Sequence, residues 1–173
     1  MKQPKDREIK RIQERLKEHE NLKKTFNTIC NKLMEDKALL KKYYIKECKL
    51  NDEKTAMSFT VIDNIYSLEY SIQPDKERPN LIGMINLFKI KNDIDIVIGK
   101  KKKSLSILDI LFNEQGLYFD EGLDEIESRF MPIKLVFKIM DSICIDQGYY
   151  TSTNQTIGPP VVIKETRGYN MEN

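Results

Sequence analysis

The chain has 173 residues and a mass of 20.4 kDa, the size of a single domain. Apolar residues make up 40% and charged residues 32%, which excludes a disordered polyelectrolyte and allows a modest core. Its 29 Lys and Arg against 27 Asp and Glu leave a net charge of only +2, so the chain as a whole is not an obligate polyanion binder.

That small net charge hides a division. Residues 1–54 carry +6 and residues 104–147 carry −6. Blocks of opposite sign attract, within one chain or between chains. Lys outnumbers Arg by 23 to 6, the codon bias of AT-rich genomes such as those of low-GC bacteria, their phages and their plasmids. No apolar run approaches the roughly 20 residues of a membrane span. The charged stretch Met1–Glu8 leads into no apolar signal segment. Cys30, Cys48 and Cys144 are widely spaced with no C-x-x-C pair, so free thiols and a cytoplasmic location are expected.

Neither Gly nor Pro occurs between Lys5 and Ile72, and good helix formers crowd the first fifty positions, which predicts helix over 5–49. Ile9, Ile12 and Leu16 make one apolar stripe at helical spacing. Leu22, Phe26, Ile29, Leu33, Leu40 and Tyr43 make a second, interrupted at Asp36. The two stripes are out of phase by about one residue, close to 100°. This rotation predicts a break or kink near residue 20, with Asn21 capping the second piece.

From Thr55 the apolar period becomes two. Phe59 and Val61, then Tyr66, Leu68, Tyr70 and Ile72, predict a hairpin turning at Ile62–Ile65. Gln73 to Asn80 is a polar loop with two prolines, and Leu81–Lys91 is a further strand. Asn92–Asp93 reads as a turn into a strand carrying Ile94, Ile96 and Ile98. Lys100–Lys103 reads as a loop, and Leu105–Phe112 and Leu117–Phe119 as a hairpin joined at Gly116. A closing helix is predicted from about Leu123 to Ile145. Ile126, Phe130, Ile133, Phe137, Met140 and Cys144 form its buried stripe, and Pro132 kinks or restarts it.

The expected fold is α+β: an N-terminal helix or helical hairpin, an antiparallel meander of about five to six strands, and a C-terminal amphipathic helix packed on the sheet. Residues 1–50 form the helical segment, 51–146 the α+β domain and 147–173 an irregular tail.

Few residues suggest chemistry. His19 is the only histidine, and it sits between Glu18 and Glu20 on a helix, so histidine-based nucleophilic catalysis has one candidate. Asp93 and Asp95 share one strand face, where a carboxylate pair could hold Mg²⁺ if a third acid joined it. Walker A, G-x-G-x-x-G and H-E-x-x-H motifs are absent from the sequence. No catalytic residue, metal ligand or cofactor is assigned.

The reading that follows is a non-catalytic cytoplasmic protein-binding protein, regulatory or adaptor in kind. It meets a protein partner or a second copy through Ile9, Ile12 and Leu16. Nucleic-acid binding through the basic N-terminal helix and Lys100, Lys101, Lys102 and Lys103 is the alternative. A small metal-dependent hydrolase built on Asp93 and Asp95 is the third reading.

Overall fold

The computed structural model describes residues 3–91, 102–103 and 105–151. It divides into two units, Met1–Ile139 and Met140–Asn173.

The first unit opens with α1, Asp6–Glu35, a helix of 30 residues and about 45 Å. The Lys5 N–H donates to the Glu8 carboxylate at 3.0 Å and steadies its first turn. The expected break near residue 20 does not occur. The Thr25 hydroxyl donates to the Asn21 carbonyl at 3.0 Å inside a continuous helix. A rotating apolar face does not by itself break a helix that contains neither Gly nor Pro. It only means that two stretches of the helix present different sides.

The break comes at Asp36, whose carboxylate accepts the Leu39 N–H at 3.1 Å and caps α2, Lys37–Lys42. Helix then gives way to strand sooner than expected. Lys46–Leu50, read from sequence as helix, is β1.

Seven further strands follow among the described residues: β2 (Ala56–Val61), β3 (Asn64–Pro74), β4 (Leu81–Lys91), β5 (Lys102–Lys103), β6 (Leu108–Phe112), β7 (Gly116–Phe119) and β8 (Gly122–Glu125). Every pairing is antiparallel, in the order β1-β2-β3-β4-β6-β7-β8, with β5 added on β4. Lys102 and Lys103, expected in a loop, pair with Lys91 and Ile90. The strand expected over Ile94–Ile98 lies outside the described residues.

Period-two alternation sends Met57, Phe59, Val61, Tyr66, Leu68, Ile85, Leu87, Ile110, Phe112 and Leu117 into the core. The registers Phe59↔Tyr66, Leu68↔Leu87, Ile85↔Ile110 and Phe112↔Leu117 place them on one face. The second half of α1 covers that face with Leu22, Phe26, Ile29, Cys30 and Leu33, and the Phe26 and Tyr70 ring centroids lie 4.9 Å apart. The opposite face mixes apolar and polar side chains, with Met84, Phe88 and Leu111 beside Ser71, Asn86 and Asp109. There Ser71 donates to Asn86 at 3.2 Å, and Asn86 donates to Asp109 at 2.7 Å.

The closing helix begins later than the sequence implies. Gly122–Glu125 turns back as β8, and α3 runs Phe130–Asp146. The Ser128 hydroxyl accepts the Phe130 N–H at 3.2 Å and leads the chain into α3. Pro132 falls in the first turn, where a missing N–H breaks no helical bond, so the helix starts there and is not kinked. Within the first unit, Met131, Leu135, Val136 and Ile139 of α3 are buried.

In the second unit α3 ends at Gly148, whose φ of +77° is left-handed. The Gly148 N–H donates to the Ile145 carbonyl at 3.0 Å and the Tyr149 N–H to the Cys144 carbonyl at 2.9 Å. This pair of bonds is the Schellman termination, with glycine in its usual place. Among the described residues no helix is long and apolar enough to cross a membrane.

Candidate functional site

Three surface features stand out, all in the first unit. The first is the N-terminal half of α1. Ile9, Ile12 and Leu16 are 40%, 56% and 63% exposed, while the core stripe begins only at Leu22. Arg15 ties this half to the body: its guanidinium pairs with Glu18 at 2.6 Å and donates to the Pro79 carbonyl. The residues expected from sequence to bind a partner therefore lie together on one uncovered helix face.

The second feature corrects the expected rotation of α3. Phe130, Ile133 and Phe137, taken from their spacing as buried, are 51%, 46% and 54% exposed. At 100° per residue the buried set Met131, Leu135 and Ile139 points nearly the opposite way. Ion pairs help fix this rotation. Lys134 meets Asp124 at 2.8 Å, and Lys138 meets Asp120 at 3.0 Å. Both acids lie at the turn between β7 and β8 or just beyond it, so the helix flank carrying the two lysines is held to that hairpin. Ile133 and Phe137 then line, with Phe119 and Tyr43, a groove of about 320 Å³.

The third feature is a cleft of about 810 Å³ where α2 hands over to the edge strand β1. Lys37, Lys41, Lys42 and Lys46 line it, with Tyr44, Glu47 and Cys48. The end of α2 has the same bond pattern as the end of α3: Tyr44 N–H to Lys41 carbonyl at 3.1 Å, and Ile45 N–H to Leu40 carbonyl at 2.9 Å. Here, however, the left-handed position is held by Tyr44, at φ +59°. That conformation costs a residue with a β-carbon about 1–2 kcal/mol relative to its right-handed form, which is why glycine usually fills it. The Tyr44 side chain gains no burial in return, since the residue is 73% exposed. Three residues on, Glu47 is also left-handed, at φ +56°, within a bulge where Lys46–Lys49 opposes Thr60–Ser58. The Glu47 carboxylate accepts the Thr60 hydroxyl at 3.0 Å. Burial raises the Cys48 thiol above its ordinary pKa, and the nearby Lys37 pulls it partly back.

The remaining sequence candidates are scattered. Lys100, Lys101, Asp93 and Asp95 lie outside the described residues. His19 is exposed on α1. Cys30 is fully buried in the core, and its thiol is pushed up to about 12 by burial alone. Among the described residues no three His, Cys, Asp or Glu side chains gather where they could hold a metal ion.

The outer face of α3 and the lysine cleft were not anticipated from sequence. Their signals are an apolar helix whose polar flank carries Lys134, Lys138 and Asp141, and six lysines over Lys32–Lys49 without a glycine to end the helix. Comparison with protein-family models, with curated proteins and with solved structures gives no match.

Proposed function

We propose that this chain is a non-catalytic protein-binding protein of the cytoplasm, regulatory or adaptor in kind, whose working surface is the N-terminal half of α1. One observation carries the reading. Ile9, Ile12 and Leu16 form a continuous apolar stripe on a helix whose other half is already committed to the core. An apolar stripe at 3–4 spacing is covered most simply by another helix, from a second copy or from a partner. The charged neighbours Lys10, Arg11, Glu14 and Lys17 would set the orientation of that helix and add little affinity. The free cysteines fit a reducing compartment.

The test is sedimentation velocity of the full chain beside Ile12→Glu/Leu16→Glu. The reading expects the wild type to sediment as a dimer and the variant as a folded monomer with an unchanged thermal midpoint. A variant that dimerises like the wild type, or one that unfolds, would remove this face from the binding surface.

A further inference from the structure

We propose that the cleft between α2 and β1 is a binding site for a phosphate that carries a planar base, with the phosphate held by the lysines and the base stacked on Tyr44. This site is separate from the α1 face and does not depend on it.

The argument starts from the conformation of Tyr44. The chain ends α3 with the same termination and uses Gly148, the residue that adopts it freely. At the end of α2 it uses a tyrosine, in the same left-handed conformation and 73% exposed. The ring is neither a core residue nor a relaxed surface residue. A strained, exposed aromatic group held by its own backbone bonds is displayed in a fixed place, and strain of this kind concentrates at functional positions.

The surroundings of the ring supply the second part. Lys37, Lys41, Lys42 and Lys46 line the cleft, and Glu47 is its one acid. Among the described residues Lys37, Lys41 and Lys46 have no ion pair, and Lys42 lies 5.8 Å from the centre of the Tyr43 ring. The Glu47 carboxylate is engaged by Thr60. The cleft therefore has an excess of positive charge beside an exposed aromatic face. A phosphate alone would use the charge and leave the ring without a role, and an apolar group alone would do the reverse. Single strands of nucleic acid and free nucleotides present both parts together, at the separation of a base from its own backbone.

The test is fluorescence anisotropy with a labelled oligothymidylate strand at low salt, using the full chain. Wild type binds the strand. Tyr44→Phe keeps the affinity, and Tyr44→Leu loses about tenfold, the loss of one base stack. Lys41→Gln with Lys46→Gln flattens the salt dependence by about 1.4 in log K against log salt, at about 0.7 for each phosphate contact. Tyr44→Gly separates a binding role from a structural one: its thermal midpoint stays level or rises while the affinity falls as in Tyr44→Leu. Adenosine triphosphate that displaces the strand makes a free nucleotide the ligand, and its failure to compete makes the strand the ligand. The proposal is overturned if wild type does not bind, if Tyr44→Leu binds like wild type, or if inorganic triphosphate or polyglutamate displaces the strand as well as the nucleotide does.

Discussion

The Phe112 ring lies against the backbone of Gly83, its partner across β4 and β6, so closely that a β-carbon on Gly83 would come within 2.3 Å of two ring carbons. Gly83 is buried and Phe112 is fully enclosed, so neither can move into solvent. Glycine here provides space for a ring, and no unusual backbone angle requires it. Gly83→Ala should therefore destabilise the chain by about 1–3 kcal/mol, the range for overpacking a close-packed core. The urea midpoint measures it. Phe112→Leu should relieve part of the loss in the double variant, because the two sites are in contact.

The rotation of α3 predicts a contrast between two residues on the same helix. Leu135 is fully buried, and Leu135→Ala should cost about 2–5 kcal/mol. Phe137 is 54% exposed, and Phe137→Ala should change stability by no more than about 0.5 kcal/mol. Thermal midpoints of the two variants decide it. A large loss from Phe137→Ala would put the helix back in the orientation its 3–4 stripe implied.

That contrast also shows where sequence reasoning stops. Spacing finds the apolar sides of a helix. α3 has apolar residues on more than one side, and spacing cannot say which one meets the sheet. The lysines at 134 and 138 held the answer, but only once β8 had placed Asp124 beside them, and β8 was read as the start of the helix. The switch from α2 to β1 was hidden for a related reason. Helix ends are read from glycine, and here a tyrosine occupies the glycine conformation. The α1 face was legible because Ile9, Ile12 and Leu16 repeat at helical spacing yet fall out of phase with the core stripe. The lysine cleft was not, because a chain reversal brings Lys37 and Lys46 together, and reversals without glycine leave no local mark.

A third prediction concerns the two-residue loop between β2 and β3. Val61 pairs with Asn64, so Ile62 and Asp63 form the turn, with φ of +47° and +64°. Left-handed angles at both positions match the twist of a type I′ hairpin, which favours Asn-Gly. A β-branched isoleucine is poorly suited to that conformation, and Ile62 is 59% exposed, so little burial offsets the strain. Ile62→Asn with Asp63→Gly should raise stability by about 1–2 kcal/mol. A lower thermal midpoint would mean that Ile62 makes a contact worth more than its strain.

The last prediction follows from Cys30, buried against the sheet between Phe26 and Leu33 on α1. Burial favours its neutral thiol and raises its pKa from 9.0 to about 12. In the unfolded chain the same thiol ionises near its ordinary value. Above that value the unfolded state has lost a proton that the folded state keeps, so stability falls as pH rises. The stabilising contribution is complete below pH 9 and is lost between about 9 and 12. Over that window the slope from this one group is at most about 1.4 kcal/mol per pH unit. Tyr150, whose hydroxyl bonds Asp141 and is raised from 10.0 to about 12, acts in the same direction from a higher starting pH. Cys30→Ala should therefore reduce the alkaline slope between pH 9 and 10, where Tyr150 contributes least, even though the new cavity lowers stability at every pH. Urea midpoints of wild type and variant at closely spaced pH values measure the two slopes. Parallel curves would mean that the thiol ionises equally readily in both states.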